Sequence, residues 1–197
     1  MSVERIELIG QEPVTLAQLM YACRLSLTGD VGTDAAMNAE LALSIAGARA
    51  QAESMTLRTI TPCILELKLD CYPDNTDIEL PDSPVIAGSV AFYYVSATTG
   101  QEVLLPSNQY VLDRQRYQAW LLPAAGVTWP ALADVANAIR IRYTAGYPNV
   151  VATNPKVVLW IKSAAALVIN GDCSGCTEIP RDFNAAWLDD LIDYSKR

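Results

Sequence analysis

Apolar residues change their spacing twice along this chain, and that limits the fold more than any single motif. Between Thr61 and Tyr143 they recur at every second position in short runs. Cys63, Leu65, Leu67, Leu69 and Cys71, for example, alternate with Ile64, Glu66, Lys68 and Asp70, the mark of a strand with one buried face. On either side they recur every three or four residues, the mark of amphipathic helices. The order is two helices, a β block, two helices. It predicts an α+β chain: an antiparallel helical bundle formed by the N- and C-terminal helices, with a small antiparallel β sandwich or barrel inserted between them. The expected divisions are an N-terminal helical half over 1–58, a β domain over 59–147 and a C-terminal helical half over 148–197 that packs on the first.

Thr15 stands where an N-cap belongs, ahead of Leu16, Leu19, Met20, Cys23 and Leu27 at helical spacing. Gly29-Asp30-Val31-Gly32 breaks that helix, and a longer one is expected from Thr33 or Asp34 to about Thr56, with Met37, Leu41, Ile45, Ala48, Ala52 and Met55 on one face. Seven strands are expected: Thr61 to Cys71, Ile78 to Leu80, Val85 to Val95, Val103 to Leu105, Tyr110 to Asp113, Gln118 to Leu122, and Ile139 to Tyr143. Thr98-Thr99-Gly100 reads as a hairpin turn. Pro155 suits the first position of the next helix, which ends at Asn170-Gly171 and presents Val158, Ile161, Ala165, Val168 and Ile169 on one face. A last helix is expected from about Pro180, carrying Phe183, Trp187, Leu188, Leu191 and Tyr194.

Of 197 residues, 51% are hydrophobic and 18% charged, enough for a real core and too apolar for disorder. No run approaches the length of a membrane span, and Met1-Ser2-Val3-Glu4-Arg5 lacks the basic-then-apolar order of a signal peptide, so the expectation is a soluble protein that works inside a cell. Fourteen basic against twenty-two acidic residues give a net charge of −8. Gripping nucleic acid through its phosphates is disfavoured, whereas a conduit that DNA passes without adhering is compatible with that charge. Histidine is absent, which removes the commonest general base and metal ligand together with every Ser-His or Cys-His arrangement. No catalytic residue, cofactor or metal is expected.

Four constellations remain. Cys173-Ser174-Gly175-Cys176 has the spacing of a redox pair or half a zinc site, but no second pair and no histidine exist to complete it. Five cysteines in all, two on the inward face of one strand, fit reduced core thiols. Asp189 and Asp190, adjacent on a helix, point about 100° apart and cannot easily converge on a ligand. Trp120 and Trp129 could stack a sugar, yet with four tryptophans and two phenylalanines in the chain they are needed for packing. Tyr143, Gly146 and Tyr147 read as the exit from the last strand rather than as a binding loop.

The ordered set of features resembles the head-tail connector, or neck adaptor, proteins of tailed bacteriophages. It comprises Val14-Thr15-Leu16-Ala17, the alanine-rich helix ending in Ala48-Arg49-Ala50-Gln51-Ala52-Glu53, Ile64-Leu65-Glu66-Leu67-Lys68-Leu69, Ile78-Glu79-Leu80-Pro81, Pro84-Val85-Ile86, Tyr110-Val111-Leu112-Asp113, Trp129-Pro130, Ile139 through Tyr147, and Pro155-Lys156-Val157. The resemblance runs from about Val14 to Tyr194, and the Cys173 to Cys176 loop is no part of it. It implies a structural subunit of a twelve-fold ring that docks under the portal, prolongs the DNA channel without binding DNA specifically, and presents a platform for a stopper or tail-completion protein. It implies no catalysis, no membrane and a place in the virion neck after assembly in the host cytoplasm. The partner anchor it implies is the C-terminal segment: Trp187, Leu191, Tyr194, Lys196 and Arg197. The alternative is a β-sandwich module that recognises carbohydrate or protein at a virion surface; a third reading is a thiol oxidoreductase using Cys173 and Cys176.

Overall fold

The computed structural model describes residues 2–74, 77–170 and 188. The chain is α+β, and among the described residues it divides into two compact units, one of Met1–Gly10 with Thr61–Pro148 and one of Gln11–Ile60 with Asn149–Arg197.

The first unit holds eight strands: β1 (Ser2–Leu8), β2 (Cys63–Leu69), β3 (Ile78–Leu80), β4 (Ala91–Val95), β5 (Glu102–Leu105), β6 (Tyr110–Asp113), β7 (Ala119–Pro123) and β8 (Ile139–Ala145). They form a five-stranded sheet in the order β1-β2-β8-β4-β5 and a three-stranded sheet in the order β3-β7-β6. Every pairing is antiparallel. The inward residues of both sheets, among them Leu65, Leu67, Phe92, Ile139 and Ile141 from the larger and Ile78, Leu80 and Leu121 from the smaller, make one continuous buried cluster. Alternation along β2 and β8 thus translates directly into one dry and one charged face.

Four sequence expectations are corrected in this unit. Strand β1 was not foreseen: its period is interrupted by a register shift between Arg5 and Glu7, so no clean alternation marks it. The segment Val85 to Val95 is not one strand; Val85 makes an isolated bridge to Ala145, Gly88 turns the chain at a φ of +73°, and only Ala91–Val95 is a strand. Of the two cysteines assigned to the inward face of β2, Cys63 is buried, while Cys71 lies beyond the strand and is exposed. The seven expected strands become eight among the described residues.

Gly146 explains the abrupt end of β8. Its φ is +121°, and a Cβ there would lie 2.7 Å from both Cα and N of Pro62. Pro62 is also approached from the other side: the amides of Ile9 and Gly10 donate to its carbonyl, each at 2.9 Å. The ends of β1 and β8 and the start of β2 therefore meet backbone to backbone at Pro62, which only glycine permits.

The second unit contains α1 (Leu16–Cys23), α2 (Val31–Thr56), α3 (Val150–Thr153) and α4 (Pro155–Ile169). Thr15 caps α1 as expected, in a full capping box: its hydroxyl accepts from the Gln18 amide at 3.2 Å while the Gln18 side chain accepts from the Thr15 amide at 3.0 Å. Helix α2 begins at Val31 rather than Thr33, because Asp30 serves as its N-cap, accepting from the Thr33 amide at 2.8 Å. Asp34 closes the preceding turn by accepting from the Thr28 amide and hydroxyl and from the Gly29 amide. Those bonds to Thr28 hold its carboxyl below the ordinary aspartate range.

Both α1 and α2 pack mainly on α4. The buried face of α4 is rotated from the expected one: Val157, Trp160, Ile161, Ala164 and Ala165 are buried, whereas Val168 is exposed. The stretch between Pro148 and Pro155 forms the single turn α3, capped by Asn149. Buried in this unit, Arg49 bonds Glu12 through Nε and Glu53 through one terminal nitrogen at 2.8 Å, and Glu53 in turn accepts from the Ile60 amide.

Candidate functional site

Three surfaces carry what chemistry the described residues offer. The first is the charged face of the five-stranded sheet. Cross-strand register sets Glu66 opposite Arg142, and Lys68 opposite Arg140, with Glu4 and Tyr93 on the flanking strands. Glu66, only 4% exposed, is the hub, pairing with Arg142, Arg140 and Lys68. Burial pushes its carboxyl up, but the hydrogen bonds from Arg142, Lys68 and Arg140 outweigh that and hold it below the ordinary glutamate value. Arg140 continues the chain of charges to Glu102 at 2.6 Å and lies over the Tyr93 ring at 4.6 Å. Lys68 extends it to Glu4 at 3.1 Å. The basic side chains of this face are thus neutralised by carboxylates of their own unit, which leaves little free positive charge for phosphate.

The aromatic residues of the β unit are similarly occupied. Trp129 stacks on Tyr72 at 5.7 Å and packs against Phe92 at 5.3 Å, while Trp120 is covered by Arg116 at 5.4 Å. Tyr143 is 1% exposed and donates its hydroxyl hydrogen bond to the Pro81 carbonyl at 2.9 Å. Its burial pushes the phenol well above the ordinary tyrosine range, so it is a packing residue. Tyr147 is half-buried. No open aromatic platform for a sugar is built from these side chains.

The second surface is an apolar groove of about 520 Å³ in the helical unit, lined by α1 and α4 with the turn before each: Val14, Ala17, Tyr21, Val151, Leu159 and Lys162. Tyr21 is 89% exposed and Val151 58%. The sequence reading missed this groove, since Tyr21 and Val151 fall outside the apolar period of their helices; that displacement was the available signal. The third surface is the side of α2 away from its core, where Leu43 is 68% exposed. No cluster of His, Cys, Asp and Glu suited to a metal occurs among the described residues, and no helix there is long and apolar enough to cross a membrane.

The residues assigned to partner binding, Trp187, Leu191, Tyr194, Lys196 and Arg197, lie outside the described residues, as do Cys173, Cys176, Asp189 and Asp190. Their neighbour Leu188 is described, as a fully buried helical residue.

No family model and no curated protein matches the sequence. Solved structures do. A chain from the neck of an empty gene transfer agent particle, computed with C6 symmetry, superposes at a TM-score of 0.78 with 20% identity, covering 98% of this chain and 95% of that one. This protein has the fold of a particle-neck chain. Chains from the virion of the native particle and from the native neck computed with C12 symmetry follow at TM-scores of 0.74 and 0.69, with 20% and 17% identity and the same coverage. At such identities the likeness is one of fold, and it extends over both units rather than one.

Proposed function

We propose that this protein is a structural subunit of the neck of a tailed, phage-like particle, forming a ring of twelve copies between head and tail. The observation that carries the proposal is the 98% coverage of the chain by a neck-particle chain at a TM-score of 0.78. A chance likeness of one β module would not include the helices. In this reading the helices form a bundle into which a β sandwich is inserted. One end of the ring docks under the portal, the other receives a stopper or tail-completion protein, and the C-terminal residues from Trp187 to Arg197 supply the anchor.

The physical chemistry of the chain supports that role. A net charge of −8, with the arginines of the sheet face already neutralised, suits a wall past which DNA slides without specific binding. Exposed apolar side chains on the helical unit suit a subunit covered by other proteins. Neither catalysis nor a cofactor is invoked. Of the alternative, a β-sandwich module recognising carbohydrate or protein, the carbohydrate half is disfavoured because Trp129 is stacked on Tyr72 and Trp120 is covered by Arg116.

Light scattering across a concentration series, alone and with the portal protein of the same particle, tests the proposal. A closed oligomer, either alone or on the portal, supports it. A protein that stays monomeric and ignores the portal overturns it.

A further inference from the structure

A cyclic ring needs two unlike surfaces on each copy, one fitting the other on the next copy, repeated until the circle closes. Two such surfaces stand on the helical unit. One is the groove beside α1 and α4, apolar except for Lys162 at its edge. The other is the outer side of α2. Leu43 is two residues from each of Leu41 and Ile45, both buried, and so projects from the opposite side of the helix. It stands in a row with Ala36, Glu40, Gly47 and Ala50, spaced three and four residues apart and all exposed. The row is one large apolar side chain and one acid among residues small enough to admit another helix closely.

The charges of the two surfaces are complementary. Lys162 is the one charged group lining the groove, Glu40 the one in the row, and neither has an ion-pair partner among the described residues. The buried and half-buried charges Arg49, Glu66, Lys68 and Arg140 are by contrast paired within their own units. An exposed leucine beside an unpaired acid thus has a matching receptor: an open apolar groove beside an unpaired lysine.

We propose that the α1–α4 groove of one copy receives the outer row of α2 of the next copy, with Leu43 entering between Tyr21 and Leu159 and Glu40 pairing with Lys162. The proposal rests on the ring reading and specifies its interface. It makes the contact heterologous, as closure requires, and gives the helical unit the task of holding the ring together.

The test is ring formation by light scattering and electron microscopy, at concentrations where the unaltered protein assembles alone or on the portal. Leu43→Asp is expected to shift the assembly midpoint upward by more than about tenfold, from the lost burial of one leucine. Glu40→Lys and Lys162→Glu should each weaken assembly about two- to fivefold, and the double variant should restore it. Each altered side chain lies on the surface, and an unchanged circular dichroism melt excludes misfolding as the cause. Independently, in a chain whose native cysteines are replaced by alanine, Leu43→Cys and Leu159→Cys together should give a ladder of covalent multimers on oxidation of the assembled ring, while either alone should not. Rings that form normally from Leu43→Asp, or a double charge swap that fails to restore assembly, overturn this interface and leave the neck reading standing. An unaltered protein that never forms a ring overturns both.

Discussion

The β unit and the helical unit each hold a buried carboxylate in an ion network, Glu66 in one and Glu53 in the other, but differ in where their exposed apolar side chains lie. On the β unit the outer sheet face ties its own charges together through Glu66, and exposed apolar side chains lie largely on edge strands, at Ile6 and Leu8 on β1, Val103 and Leu104 on β5 and Val111 on β6. The helical unit buries an ion network, Glu12–Arg49–Glu53, and leaves Tyr21, Val31, Leu43 and Val151 in solvent. These large apolar side chains lie on the faces of helices that otherwise bury an apolar core. The helical unit therefore presents apolar helix faces to solvent, whereas the β unit presents apolar strand edges.

That contrast can be broken at several points. Arg49→Met should have the largest effect, about 3–5 kcal/mol of stability, because it takes the buried guanidinium away from both Glu12 and Glu53. Hydrogen exchange should show lost protection in α2 and α4; an equal loss in β2 and β8 would erase the distinction between the units. Gly146→Ala should follow, at about 2–5 kcal/mol, from strain at a φ of +121° and from overpacking against Pro62. Here the protection of β2 and β8 should fall first, and a melting temperature equal to that of the parent would refute the backbone approach described above. Thr15→Ala should cost about 1 kcal/mol through loss of the capping box, felt in α1 alone.

The smallest effect concerns pH. Glu66 has a carboxyl held below its ordinary value, so it binds fewer protons folded than unfolded in the acid range. Its contribution is fully present above the unfolded glutamate value of about pH 4.3 and is lost as pH falls through the folded value. Glu66→Gln should flatten the decline of stability in that window, measured by urea unfolding between neutral and acid pH. An unaltered slope would mean that the sheet-face network does not discriminate folded from unfolded chains.

Much of this was legible in the residues, for reasons of local chemistry. Thr15 with Gln18, Pro155 at the first position of α4, Gly100 in the hairpin turn, and the alternation of Leu65, Leu67, Ile139 and Ile141 each act over a few residues, and each is where the sequence places it. The α+β order follows from those signals alone. What failed had a non-local cause. β1 is a strand because β2 offers it an edge, not because its own pattern demands it. Trp160 rather than Val168 faces the core of the helical unit because α1 and α2 both lean on α4 from that side.

The sequence by itself determined most of the elements, the central β block between helices, the acidic balance and the lack of any histidine chemistry, because period, capping and charge are properties of near neighbours along the chain. Tertiary structure alone decided which charges neutralise one another across β2 and β8, and why Gly146 must be glycine, since Pro62 lies 84 residues away in sequence and touches it in space. It also decided that Tyr21, Val151 and Leu159 share one groove. No local rule joins residues on separate helices; only the packing of α1 against α4 does.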